Sequence, residues 1–442
     1  MRSNLILGMC VLFLIQYFAE LRWFQLIVVG IALLAFLSSA LHADRFPRVI
    51  GFAMIGIGIL LEWSKGTGIE GISEGIFTIL PLLCLITLAP LLSIPLKLGG
   101  FFESVSRLLH HLLHQPNKLY AGITGTLFLL SPILSLGAVR IIHEFLEDLK
   151  LPSEMSAKSY VVGFSTAVMW SPYFASVSLV LHYLNIGYKD YILYGIGLSL
   201  LSLLVGNILF AIWERQHPLS DRGAKAKPLG NIDRYQLIKL VLLIIALMGS
   251  CLLIENITGW SMIVIVCLVS VIVPLFYGIL SSDWRRVLPL LEDFRNRSVP
   301  MMNNEIMLFM SAGMLAFAMK GTAVMNGVSL FLARLANQSF FMFAIAIMII
   351  VLGITYIGVH QIAAVGALAM QLSISEMGMS DMALAMTLLL TWAASTALSP
   401  FSGLNLLVKR FAGISNKEAF SAIGQHLIIV SVIGIVIISF MV

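Results

Sequence analysis

Ser165-Thr166-Ala167-Val168-Met169-Trp170-Ser171-Pro172-Tyr173-Phe174-Ala175-Ser176 and Ser395-Thr396-Ala397-Leu398-Ser399-Pro400-Phe401-Ser402-Gly403-Leu404-Asn405 are two versions of one stretch, one in each half of the chain. Both carry Ser-Thr-Ala, then Ser-Pro-aromatic, then a small or polar residue. The first copy has two extra residues inside it. Both lie within long apolar runs, where hydroxyls and prolines are costly unless they have a role. A proline in a membrane-spanning helix frees a backbone carbonyl, which is tolerated only where protein or a water-filled cavity satisfies it.

The surroundings of the two copies are those of a membrane protein. Hydrophobic residues make up 59% of the chain and charged residues 11%, against roughly 25% charged in an average soluble domain. No packed soluble core needs so much apolar sequence, so the expected fold is an all-α polytopic membrane protein. The formal charge of +5 does not indicate nucleic acid, because basic residues here are first read as topology signals. Cys10, Cys84, Cys251 and Cys267 lie in or beside apolar segments without metal-ligand spacing, and are expected as free, buried thiols. Arg2 followed by an apolar run resembles a signal peptide. It lacks a small-residue cleavage site, so it reads as a retained first helix.

At roughly 20 apolar residues per span, about 11 spans are expected. They lie near 4–19, 23–41, 49–63, 76–95, 160–181 and 187–212, then 235–254, 258–280, 302–319, 383–408 and 419–441. Two further stretches, 119–149 and 340–373, are too long for one straight helix and are interrupted midway. The first is interrupted by Ser131-Pro132 and Leu134-Ser135-Leu136-Gly137, the second by Gly358-Val359-His360-Gln361. Each reads as a re-entrant helical hairpin. With the N-terminus cytoplasmic and both hairpins re-entrant, 21 of the 27 Lys and Arg residues fall on the cytoplasmic side, 5 outside, and Arg140 within the membrane. This is the skew the positive-inside rule requires. The chain then divides into a first repeat (1–212, with hairpin 119–149), a polar cytoplasmic linker (213–234) and a second repeat (235–442, with hairpin 340–373). In each repeat an amphipathic stretch (97–118 or 321–338) precedes the hairpin and a broken span follows it. Equal order with opposite orientation is an inverted repeat. Paired helix breaks in the two halves are the best sequence pointer to the binding site of a secondary transporter.

This arrangement resembles the ion transporter superfamily: divalent anion–sodium symporters, the large membrane subunit of TRAP transporters, and arsenite-efflux and sodium–proton antiporter branches. Leu308-Phe309-Met310-Ser311-Ala312-Gly313-Met314 is similar to the Gly-rich helix ahead of the second hairpin in that group. Ser399-Pro400-Phe401-Ser402-Gly403-Leu404-Asn405-Leu406 is similar to its late helix break, especially the TRAP form ending in Gly-Leu-Asn. The divalent anion symporters carry Ser-Asn-Thr at both hairpin tips; here the tips read Ser135-Leu136-Gly137-Ala138 and Val359-His360-Gln361-Ile362. Dicarboxylate specificity and sodium coupling therefore do not carry over by residue. The resemblance implies a substrate held between the tips and the broken helices, and a transport domain moving against a scaffold, elevator fashion, within a homodimer.

The residues themselves offer two chemistries. Half-helix N-termini favour anionic groups, and half-helix carbonyls can coordinate Na⁺. Ser165, Thr166, Ser171, Ser395, Thr396, Ser399 and Asn405 would add neutral oxygen ligands around Pro172 and Pro400, with Na⁺ expected near Ser165, Thr166, Ser395 and Thr396. The alternative is that each hydroxyl bonds the carbonyl one turn back. Ser135 and Gly137 mark the first tip. Arg140 follows them, and its burial demands either an anionic substrate or an internal partner such as Glu144. His360 and Gln361 mark the second tip, where a histidine binds substrate, carries a proton or caps free backbone.

Other polar clusters are bland. His110, His111 and His114 beside Arg107 and Lys118 read as an interfacial helix, and Glu305 as a solvated residue at a span's start. No catalytic motif or phosphate loop is present, so neither an enzyme nor an ATP-driven pump is expected. The sequence points to secondary active transport of a small anion, an organic acid or carboxylate, coupled to Na⁺ or H⁺. The runners-up are a Na⁺/H⁺ antiporter, for which the only acids in apolar sequence cluster near 144–148, and the membrane subunit of a multi-component, TRAP-like system. The expected partners are a small anionic solute, the lipid bilayer and a second copy of the chain. The expected location is a bacterial inner membrane, and no cofactor is expected beyond Na⁺ as coupling ion.

Overall fold

Long apolar segments interrupted by Gly, Pro and polar residues fold into helices throughout the computed structural model, which describes residues 2–149, 151–218, 229–281, 284–372, 377–414 and 416–442. The first half holds α1 (Arg2–Ala19), α2 (Arg22–Ala40), α3 (Arg45–Ser64), α4 (Gly68–Leu88), α5 (Ser93–Leu98), α6 (Phe101–His111), α7 (Pro116–Leu134), α8 (Leu136–Leu146), α9 (Ser153–Ala167), α10 (Ala175–Leu184) and α11 (Tyr188–Gln216). The second holds α12 (Asn231–Thr258), α13 (Met262–Ser281), α14 (Trp284–Asp293), α15 (Val299–Met301), α16 (Asn303–Met319), α17 (Ala323–Gln338), α18 (Phe340–Tyr356), α19 (Gln361–Gln371), α20 (Asp381–Leu398), α21 (Gly403–Ala412) and α22 (Asn416–Ser439). The described residues contain no strand. The chain is a polytopic helical membrane protein.

Eight helices among the described residues are long and apolar enough to cross a bilayer, or nine if the α16–α17 pair, bent by 78°, is one span. The broken span expected at 160–181 is two short helices, α9 and α10, separated by residues 168–174. The expected span at 302–319 is the 17-residue α16. Part of the expected linker, 219–228, lies outside the described residues.

The interrupted stretches behave as helix pairs. α7 ends at Leu134 and α8 starts at Leu136, so Ser135 alone makes the turn, at φ +50° and ψ −136°. That region of backbone space strongly favours glycine. The second pair turns over residues 357–360. Gly358 there has φ +100°, and a Cβ added to it would sit 2.8 Å from the Phe46 ring. Glycine answers both the conformation and the crowding.

Packing follows one scheme in both halves. α7 lies on α9, and α18 lies on α20. α9 packs against α21, and α10 packs against α20, so the first piece of each broken helix meets the second piece of the other. The hairpin arms cross over in the same way, α8 onto α21 and α19 onto α10. Around this body stand α1–α4, α13 and α16, with α16 pressed onto α3 and α4. The approach is close because α16 carries Gly313, where a Cβ would come within 2.4 Å of Ile79 Cγ1.

Candidate functional site

The second break, residues 399–402, is where the two hairpin tips come together. The Gly358 tip lies beside Phe401, and Gly403 faces Leu136 of the first tip so closely that a Cβ there would lie 2.8 Å from Leu136 Cδ1. Phe401 stacks on Phe46 from the start of α3, with ring centroids 5.2 Å apart and planes 9° from parallel. Both rings remain nearly half exposed.

A buried polar network joins this break to the second hairpin. Ser395 Oγ donates to Thr355 Oγ1 at 3.1 Å, and Ser399 Oγ donates to the Thr355 carbonyl at 2.9 Å. Gln361 Nε2 donates to Thr396 Oγ1 at 3.1 Å. Asn405 Nδ2 donates to the carbonyls of Ala397 (2.7 Å) and Ser399 (2.9 Å), filling two positions freed by the break. Two carbonyl neighbours fix which end of the amide is nitrogen. Asn405 Oδ1 is therefore left as a buried acceptor with no hydrogen-bond partner among the described residues. The Pro400 carbonyl receives Lys409 Nζ at 3.5 Å. Ser402 caps α21 by accepting from Asn405 N.

The first break is knitted shut. The carbonyl of Val168 accepts from Ser176 Oγ at 2.6 Å, that of Pro172 from Ser178 Oγ at 2.6 Å, and that of Trp170 from Tyr188 Oη at 2.7 Å. Tyr191 Oη closes the Met169 carbonyl. Ser171 Oγ accepts from Tyr173 N at 3.2 Å. Thr166 Oγ1 bonds the carbonyls of Val162 and Gly163, and Ser165 Oγ bonds that of Val162, all one turn back on their own helix. The hydroxyls of the two copies thus differ. Ser395 reaches another element, while Ser165 satisfies its own helix.

At the first tip, Ser135 and Arg140 are exposed and Gly137 is partly so. Gly137 sits inside α8 rather than in the turn. No ion pair joins Arg140 to Glu144 among the described residues. Arg140 lies instead within electrostatic reach of Glu305 on α16. Glu305 corrects its sequence reading as a solvated residue: its Oε2 is buried and unpartnered among the described residues. A second correction is Glu62, an acid outside 144–148. It is 2% exposed and held by Lys65 at 2.7 Å and Thr67 at 2.6 Å. At the second tip, His360 Nδ1 accepts from Ile362 N at 3.2 Å, so the ring caps α19. It also meets the Phe309 ring edge-on at 4.8 Å.

Thr355 and the tyrosine pair Tyr188 and Tyr191 were not singled out from the sequence. Thr355 is the one threonine of α18, which is a usable signal; nothing in the spacing of the tyrosines pairs them with the break. Among the described residues no group of three or more His, Cys, Asp or Glu could hold a metal ion. The four cysteines are free and buried.

No protein-family signature and no curated protein sequence matches the chain. Among solved structures it is similar to the YdaH transporter of Alcanivorax borkumensis, described as having an unusual topology. The TM-score is 0.51 and the identity 14%, over 83% of this chain and 86% of the other. At that identity the likeness is one of fold.

Proposed function

We propose that the chain is a secondary active transporter for a small anionic solute, coupled to Na⁺ or H⁺. The observation that carries this reading is the convergence of both hairpin tips on residues 399–405, where a helix break leaves Asn405 Oδ1 buried and unpartnered. An oxygen-rich setting of hydroxyls, carbonyls and an amide suits a hard cation, although the Lys409 ammonium on the Pro400 carbonyl sets a positive charge at its edge. The cation site of this reading is therefore the second break, with Ser395, Thr396, Ser399 and Asn405 around it. Exposed Arg140 on the facing arm supplies the positive field for the anion. The fold likeness to a transporter is in keeping with this. The crossed packing of the broken helices supports an inverted-repeat body; in this reading it rides against α3 and α16 as an elevator, within a homodimer whose N-terminus is cytoplasmic.

One observation favours a second reading. Glu305 is a partly buried carboxylate with one buried oxygen, Oε2, unpartnered among the described residues, which is the kind of group a Na⁺/H⁺ antiporter titrates.

The test is uptake by the purified chain in proteoliposomes of a panel of carboxylates and inorganic anions under imposed Na⁺ or H⁺ gradients. Gradient-driven uptake of one anion, lost in Asn405→Ala, is the expected outcome. Na⁺-for-H⁺ exchange without anion uptake, abolished by Glu305→Gln, would replace this reading with the antiporter. Silence in both assays would point to a missing partner subunit of a TRAP-like system.

A further inference from the structure

The two breaks leave opposite groups unsatisfied. At the second break the surplus atom is an acceptor, Asn405 Oδ1. At the first break the carbonyls of Val168, Met169, Trp170 and Pro172 are all taken by side-chain hydroxyls. The surplus there is a donor: Trp170 Nε1, buried, with no partner among the described residues. Trp170 is 5% exposed. Its indole stacks on Phe128 of α7, with centroids 5.1 Å apart. Ser131 follows Phe128 by one helical turn on the same face. Its Oγ is likewise buried without a partner among the described residues, in a side chain of zero exposure.

An indole nitrogen donates and never accepts, and a serine hydroxyl can donate as well. A partner for both is an oxygen with lone pairs. A cation is disfavoured at this position, because the indole N–H dipole opposes it. Leaving such groups unpaired costs the desolvation of each; other buried hydroxyls, Ser39, Ser199 and Ser270 among them, are unpaired among the described residues as well, and what sets this pair apart is its place beside a helix break. Both groups are closed off from solvent in this structure, and the first tip begins one turn beyond Ser131: Ser135 N donates to the Ser131 carbonyl at 2.8 Å, the last bond of α7 itself, from a backbone conformation that serine rarely adopts.

We infer that Trp170 Nε1 and Ser131 Oγ form a two-donor subsite for an oxyanion oxygen of the transported solute, one helical turn before the Ser135 tip. This rests on the transporter reading and deepens it. Anion and cation are then held at different breaks, the anion's oxygen by neutral donors at the first and the cation by acceptors at the second. The solute class is a carboxylate or inorganic oxyanion small enough to enter between α7 and residues 168–174.

The test uses the full-length chain with succinate, benzoate and inorganic sulfate as uptake probes. Trp170→Phe keeps an aromatic ring against Phe128 and deletes the N–H; Ser131→Ala deletes one oxygen. For whichever probe the wild type moves, each variant is expected to raise KM about tenfold or more, as expected for a hydrogen bond to a charged group, with the Na⁺ or H⁺ dependence unchanged. An unchanged KM in both variants would overturn the subsite. A second measurement does not depend on transport. In solute-free detergent solution, Ser131→Ala is expected to melt at or above the wild-type temperature, since it removes an unpaired buried group. A melting point several degrees lower would mean that a resident partner, such as an internal water, already satisfies Ser131, and the proposal would fall. If the wild type moves none of the probes, the transport reading fails and the melting comparison alone decides the subsite.

Discussion

Ser135 is the residue under most evident strain. Its φ of +50° with ψ −136° is a conformation that costs a non-glycine residue ~1–3 kcal/mol. Nothing in its side chain offsets this, because Ser135 is exposed and its Oγ makes no hydrogen bond among the described residues. Ser135→Gly should therefore raise the melting temperature of the purified protein, and Ser135→Val should lower it, since a β-branched residue fits that region worst. A thermal scan of the three proteins checks the order. If Ser135→Gly were the least stable of the three, the tip would owe its shape to the serine itself rather than to the packing around it.

At the scale of elements, the two copies of the Ser-Thr-Ala motif make the same break by different means. The second is held by Asn405 from the first turn of α21 and by the neighbouring hairpin through Thr355 and Gln361. The first is held by α11, whose Tyr188 and Tyr191 reach back to the carbonyls of Trp170 and Met169. Tyr191→Phe leaves the buried Met169 carbonyl unpaired, which costs ~1–3 kcal/mol. It should lower the melting temperature while leaving the coupling-ion dependence of uptake intact; a shift in that dependence would place a coupling ion at the first break after all. The duplication was legible in the sequence because hydroxyls and prolines stand out in apolar runs, and so were both interruptions that became the turns at Ser135 and Gly358. The division of labour between the copies was not. It depends on which distant side chain reaches each freed carbonyl, and the tyrosines doing so at the first break sit on another helix. The broken span at 160–181 was legible too, because Ser171-Pro172 interrupts its apolar run, and it is two short helices on either side of residues 168–174. Glu305 read as solvated because its sequence position is near a helix start, whereas the burial of its Oε2 comes from the packing around α16.

At the scale of the whole molecule, the contact that bears most directly on motion is Phe46 against Phe401. Phe46 starts α3, which belongs with α4 and α16 to the surrounding frame; Phe401 lies in the second break, inside the crossed body of hairpins and broken helices. If that body travels as one piece, these rings must part in every cycle. A stacked aromatic pair adds only ~0.5–1.5 kcal/mol beyond burial, which is small enough to be broken repeatedly and large enough to favour the state seen. Thiols placed at both positions, Phe46→Cys with Phe401→Cys, should be bridged by a short bifunctional thiol reagent, because the native cysteines are buried and out of its reach. Bridging should abolish transport, each single variant should survive the same reagent, and cleavage of a reducible bridge should restore activity. Full transport by the bridged protein would mean that α3 and the second break stay together throughout the cycle. Access to the site would then have to alternate through the hairpin tips alone, with Ser135 and Gly358 as the moving points.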